Sequence, residues 1–268
     1  MPRRRERDPD PPSDIVLLSP RYLGASPPGL HAACVLELAD AFRWTVTDTT
    51  ATMTAVSPCG RITVRHDQEA ARAGAGVHLS VQARTAADAP LRWQAEIGGS
   101  APAEFVAHLL TELARELRDD PDHVLYGISA APQSELLAFN AQQWDGVRRD
   151  GLDGLLSRDG HAAIIYRSPD THPPLAASDP SLAWHIAAFP EGVGPLWAIG
   201  FTEHVPQFLV RATVADMLSS DPLARPASTG LPAALAPLVT TSRITIPDGP
   251  PAPPQPPGPA APPRSRGH

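Results

Sequence analysis

The chain has 268 residues, with 29 acidic against 22 basic side chains and a formal net charge of −7. That sign argues against a general nucleic-acid-binding domain, which shows a basic balance or stripe, and leaves only a local patch open. Two cysteines, Cys34 and Cys59, are not a disulfide framework, no apolar run approaches the roughly 18 residues of a membrane span, and Met1 to Asp10 lacks the apolar stretch of a secretory signal. A soluble cytoplasmic protein with no membrane partner is expected.

All the basic residues are arginine, and alanine, glycine and proline are plentiful, which points to a high-GC genome rather than to a mechanism. Of the 33 prolines, those from Pro247 to Pro263 crowd the C-terminal end.

In chain order, residues 1–13 read as a charged disordered arm. An apolar strand, Asp14 to Leu18, leads through an irregular stretch into a helix over about Leu30 to Phe42, in which Leu30, Cys34, Leu38 and Ala41 follow helical spacing. Period-two segments come next: Trp44 and Val46 with Met53 and Ala55, then Ile62, Val64 and His66, then Val77, Leu79, Val81 and Ala83, then Leu91, Trp93, Ala95 and Ile97. Such alternation makes strands with one covered face. Ser57-Pro58-Cys59-Gly60 is turn chemistry. A helix over about Pro102 to Arg118 closes the unit, with Phe105, Val106, Leu109, Leu110, Leu113 and Leu117 as its apolar stripe and Glu104, His108, Glu112 and Arg115 toward water.

The order then recurs at an offset near 100. Trp44 falls on Trp144, Ser57-Pro58-Cys59-Gly60 on Ser157-Arg158-Asp159-Gly160, Trp93 on Trp197, and Pro102 on Pro206. The second copy reads as a strand at His123 to Ile128, a helix at about Gln133 to Gln143, strands near Ala162 to Arg167, Leu182 to Ala188 and Leu196 to Phe201, and a helix near Pro206 to Ser219. The expected fold is therefore α+β: a tandem duplication of a β-α-β-β-β-β-α unit, antiparallel sheets packed by helices. The divisions are repeat 1 over 14–121, repeat 2 over 122–222 and a partly ordered extension over 223–246, in which Arg243 to Ile246 is a candidate edge strand. A disordered proline-rich tail, 247–268, follows.

Ser57-Pro58-Cys59-Gly60-Arg61, Pro90-Leu91-Arg92-Trp93 and Ala101-Pro102-Ala103-Glu104, with Trp184, Pro195-Leu196-Trp197 and Val205-Pro206 in the second copy, carry a resemblance. The pattern over about 14–222 resembles the domain-of-unknown-function 317 family, found mainly in streptomycetes and their relatives and often in tandem. Cys59 stands where that family has an acidic turn residue, and the second copy lacks the turn proline. The resemblance implies a bacterial, actinobacterial source and this fold, and implies no activity.

Catalytic chemistry is hard to place. There is no Gly-x-Ser-x-Gly elbow; Cys59 has Arg61 and His66 nearby in sequence but reads as an ordinary turn residue. No catalytic residue, metal ligand set or cofactor is assigned, because the histidines are scattered without ligand spacing and Gly74-Ala75-Gly76 leads into a strand rather than a helix. The binding candidates are Arg61, Arg65, Arg84 and Arg92 on an outer sheet face, with Trp93 and Trp197 as stacking rings if their register turns them outward.

The reading is a non-enzymatic cytoplasmic binding or adaptor protein, with a protein as partner. The alternatives are a single-stranded nucleic-acid-binding protein using the sheet face, and a cryptic enzyme with a site between the repeats. Clustered arginine would favour nucleic acid, and mixed charge a protein partner. A pocket lined by His, Asp or Glu from both repeats would favour the enzyme.

Overall fold

Alternation of period two resolves, in the computed structural model, into consecutive antiparallel strands. The structure describes residues 15–74, 76–86, 88–127, 144–149, 152–167, 182–227 and 231–244. The N-terminal arm, the expected helix at 133–143 and the tail at 247–268 lie outside them.

The fold is α+β. In the first half, β2 (Thr45–Asp48), β3 (Thr52–Val56), β4 (Ile62–Asp67), β5 (Val77–Arg84) and β6 (Leu91–Gly99) follow α1 (Pro28–Phe42), with α2 (Gln68–Ala73) between β4 and β5. Then α3 (Ala103–Asp119) and α4 (Pro121–Tyr126) follow. The second half has β7 (Trp144–Arg149), β8 (Leu152–Ser157), β9 (Ala162–Arg167), β10 (Leu182–Ala188), β11 (Trp197–Thr202) and α5 (Gln207–Leu218). All ten strands form one sheet in the order β2-β3-β4-β5-β6-β11-β10-β9-β8-β7. The two halves thus run outward from a seam where β6 pairs antiparallel with β11.

Hydrogen-bond register makes the halves correspond. Ile62 pairs with Ala83, and Ala83 with Trp93; Ala162 pairs with Ala188, and Ala188 with Trp197. At the head of each series a turn serine accepts a backbone N–H: Ile62 donates to Ser57 Oγ at 3.1 Å and Ala162 to Ser157 Oγ at 2.8 Å. Trp93 and Trp197 therefore occupy equivalent places. The stretch from Trp44 to Ala55 is a hairpin of two strands, so each half has five strands where the alternation suggested four. No glycine or proline marks this reversal; Thr49 Oγ1 closes it by accepting from Thr52 N–H at 3.0 Å.

Three local expectations change. Pro121–Tyr126 is helical, where the sequence from His123 reads as a strand: Asp120 accepts from His123 N–H at 3.0 Å as the cap, and Pro121 opens the first turn. The opening strand β1 (Ile15–Ser19) leaves the large sheet and pairs with β12 (Leu223–Pro226) and β13 (Thr240–Ile244) of the C-terminal extension. On α1 the buried face is His31, Cys34, Val35, Leu38 and Ala39, whereas Leu30 and Ala41 are exposed.

The helices cover one face of the large sheet. The stripe of α3 is buried as its spacing predicts, Phe105 meets Trp197 edge-on across the seam at 5.8 Å, and α3 packs against α5. Glu104 is drawn inward by an ion pair with the buried Arg225 of β12 at 2.7 Å. Among the described residues no helix is long and apolar enough to cross a membrane.

Candidate functional site on the outer sheet face

The face of the large sheet opposite the helices differs between its halves. The first half presents Thr45, Thr47, Thr52, Thr54 and Thr63 with Arg65, Ser80 and Gln82; the second presents partly exposed Leu152, Leu156 and Ile165 and an exposed Ala198. One register row crosses the whole sheet. In it Thr47, Thr54, Arg65, Ser80, Glu96, Gly200, His185, Ile165, Gly154 and Val147 are successive partners.

The four candidate arginines form no single cluster, and two of them reach toward α4. Arg61 lies 3.7 Å from Asp122 of α4, Arg84 Nη1 donates to Ala89 O at 2.8 Å, and Arg92 Nε donates to Leu125 O at 3.4 Å. Arg65 is exposed on β4 and makes no ion pair among the described residues. Four residues of extended chain put Arg61 and Arg65 about 13 Å apart. Glu96 and Asp67 lie on the same face, so its charge is mixed.

Trp93 and Trp197 do not serve as stacking rings. They are 1% and 2% exposed, on the core side of β6 and β11, because the strand alternation that turns the arginines outward turns both indoles inward. Each indole N–H donates to a backbone carbonyl: Trp93 to Val124 O at 3.0 Å and Trp197 to Tyr22 O at 2.8 Å. A tryptophan of one half is thus tied to α4, and its equivalent to the 3-10 turn Arg21–Leu23 that precedes the first half.

Where the row crosses the seam there is a cavity of about 630 Å³. Glu96 comes from the first half and His185 from the second, both partners of Gly200. Neighbouring strands are about 4.8 Å apart, so the two Cα atoms are about 10 Å apart. Glu96 Oε1 accepts from Gln94 Nε2 at 2.5 Å. His185 Nε2–H donates to Leu182 O at 3.1 Å, which leaves Nδ1 of the neutral ring as an acceptor. Burial pushes the imidazole below its ordinary range, against the opposing pull of the Leu182 carbonyl. The site thus offers a carboxylate and an imidazole nitrogen, both accepting, with no hydrogen bond between them among the described residues. Neither residue was a candidate from the sequence; the signal would have been polar positions on strands that meet only across the seam.

The turns add one asymmetry. Asp159 accepts from Ser157 Oγ at 2.6 Å and from Tyr22 Oη at 2.5 Å, whereas Cys59 lies 3.4 Å from Ser57 Oγ and faces a cavity of about 300 Å³ with Phe42, Trp44, Leu117 and Arg118. His66 is no base for Cys59, since it is buried on the core side of β4 beside His78. His31 Nε2–H donates to Ala101 O at 2.8 Å, and His31 Nδ1 lies 2.6 Å from His78 Nε2. Burial, then the charges of His31 and His66, push His78 down to about 4. Among the described residues no group of three or more His, Cys, Asp or Glu side chains is arranged to hold a metal ion.

Residues 56–117 and 156–223 each match the SPDY domain, a domain of unknown function (DUF317). No curated protein and no solved structure matches the chain. Each matched segment opens one residue before its turn serine, Ser57 or Ser157; the first ends at Leu117 near the end of α3, and the second passes the end of α5. The chain belongs to the SPDY (DUF317) family and carries its domain twice, once on each side of the seam.

Proposed function

We propose that this is a non-enzymatic binding or adaptor protein of the actinobacterial cytoplasm, which docks a protein partner on the outer face of its ten-stranded sheet. The observation that carries the reading is the composition of that face. It joins a threonine-rich half to a half with partly exposed Leu152, Leu156 and Ile165, and its charges are of both signs. Apolar side chains ringed by polar ones suit a protein surface. A nucleic-acid groove needs cations in series and exposed rings; here three of the four arginines are held by local acceptors and both tryptophans are buried. Glu96 and His185 meet from both halves, the feature that would favour an enzyme, but their shared role as acceptors fits binding better than proton transfer.

The test is capture from an actinobacterial lysate, with and without nuclease, by the wild-type chain and by Ala198→Arg. Ala198 is exposed at the centre of the face, so the substitution is tolerated by the fold. A partner retained after nuclease and lost with the variant is the expected result. Capture that disappears on nuclease treatment would move the reading to nucleic acid, and capture indifferent to Ala198→Arg would remove this face.

A further inference from the structure

The seam cavity has a chemistry of its own, separate from any protein docked over it. Its volume of about 630 Å³ falls within the range of small-molecule clefts, roughly 300 to 1,000 Å³. The floor is Gly98 and Ala198, register partners on β6 and β11. A Cβ at Gly98 would come within 2.8 Å of Gly76 O, so the Gly76 backbone packs over that glycine and the exposed Ala198 is the open part of the floor. Leu182 and Leu196 supply apolar walls, and a Cβ at Gly200 would meet Leu182 Cδ1 at 2.5 Å, which places that leucine over the glycine between Glu96 and His185.

Against these walls stands one carboxylate. Glu96 is held at Oε1 by the neutral Gln94 amide and makes no ion pair among the described residues. An anion beside apolar walls attracts a cation, because there is less water to compete for it. His185 adds a second acceptor at Nδ1, since its Nε2–H is committed to Leu182 O. Two acceptors and no cationic side chain on the lining disfavour an anionic ligand.

We propose that the seam cavity binds a small organic cation, an amidinium or ammonium group on an apolar body, with Glu96 as counter-ion and His185 Nδ1 accepting a second hydrogen bond. Amidinium suits the site best, since two parallel N–H groups match a carboxylate in a bidentate pair. The proposal goes beyond partner docking and does not depend on it.

Benzamidinium is the probe, with benzamide as its neutral isostere and benzoate as its anionic one, titrated into the full-length ¹⁵N-labelled protein. Saturable amide shifts confined to Gly98, Gly99, Ala198 and Gly200 are expected with benzamidinium, and binding about tenfold weaker or less with the other two. Glu96→Gln keeps the shape of the side chain and should weaken benzamidinium by about tenfold or more, with an otherwise wild-type amide spectrum. Ala198→Phe, which fills the floor, should abolish the shifts by a separate route. No shift at the seam at about 20 mM benzamidinium, equal binding of benzamide, or undiminished binding by Glu96→Gln would each overturn the proposal. A partner lost on Ala198→Arg but kept by Glu96→Gln bears on docking alone.

Discussion

Tyr22 Oη donates to Asp159 Oδ2 at 2.5 Å, joining the 3-10 turn before the first half to the turn between β8 and β9. The same tyrosine offers its backbone carbonyl to Trp197 Nε1–H and its ring edge to Trp144 at 5.7 Å. One residue ahead of the first half therefore secures three places in the second.

Tyr22→Phe removes the hydroxyl and leaves the ring. A hydrogen bond to a charged acceptor contributes about 1.5 to 3 kcal/mol, so a urea midpoint at pH 7 should show a loss at or below the lower end of that range, because Asp159 is exposed to solvent. Burial raises the Asp159 carboxyl, but hydrogen bonds from Ser157, Tyr22 and the His161 N–H outweigh it and hold the group below its usual range. A depressed carboxylate contributes stability that is present above its unfolded pKa and lost as pH falls through the folded one. The gap between wild type and Tyr22→Phe should accordingly close below about pH 4.

The buried imidazoles set a second pH dependence. With His78 pushed down to about 4 and His31 also lowered by burial, the folded protein resists protons that the unfolded chain accepts near pH 6.5. The sign is a loss of stability as pH falls from about 6.5 toward 4. The groups facing the pair include His66, Asp67 and Arg225. His78→Gln removes one titrating ring while its amide N–H can still donate to His31 Nδ1, so the fall in the urea midpoint between pH 7 and 5 should become shallower. An unchanged slope would mean that His78 is not the controlling group.

Gly60 and Gly160 sit at φ of +70° and +73°, each one residue after Cys59 or Asp159, with no atom near enough to clash with an added Cβ. Alanine at either position meets only the backbone cost of the left-handed region, about 1 to 2 kcal/mol. Equal losses in the two variants, measured by thermal or urea unfolding, are expected from the equivalence of the turns. A loss at one position alone would show that the halves carry unequal shares of stability.

Arg61→Ala with Arg65→Ala should be neutral for stability within about 0.5 kcal/mol, since both are at the surface and the Arg61 contact with Asp122 is long and solvated. No binding of single-stranded DNA or RNA is expected from the wild type even at low salt, where phosphate contacts are strongest. Measurable binding that the double variant weakens would restore the nucleic-acid reading.

Much of this architecture is local and therefore legible in the chain. Period-two burial across Ile62, Val64 and His66, the Ser-x-x-Gly turns and the stripe of α3 depend on neighbours a few residues away, and spacing alone reveals them. Spacing failed where a side chain replaced the usual signal. The Thr49 hairpin has neither glycine nor proline, and the Asp120 cap turns an apparent strand into a helix. The inward aim of Trp93 and Trp197 was set by the same alternation that turned Arg65 outward, so the rings and the cations could not share a face. What only the tertiary structure decided is which strands meet. Pairing β6 with β11 joins residues about a hundred positions apart through backbone hydrogen bonds that carry no side-chain code. From that pairing, with β10 beside β11, come the seam, the facing of Gly98 and Ala198, and the approach of Glu96 and His185 on either side of Gly200. The departure of β1 has the same origin, since its partners β12 and β13 lie some two hundred residues further along the chain.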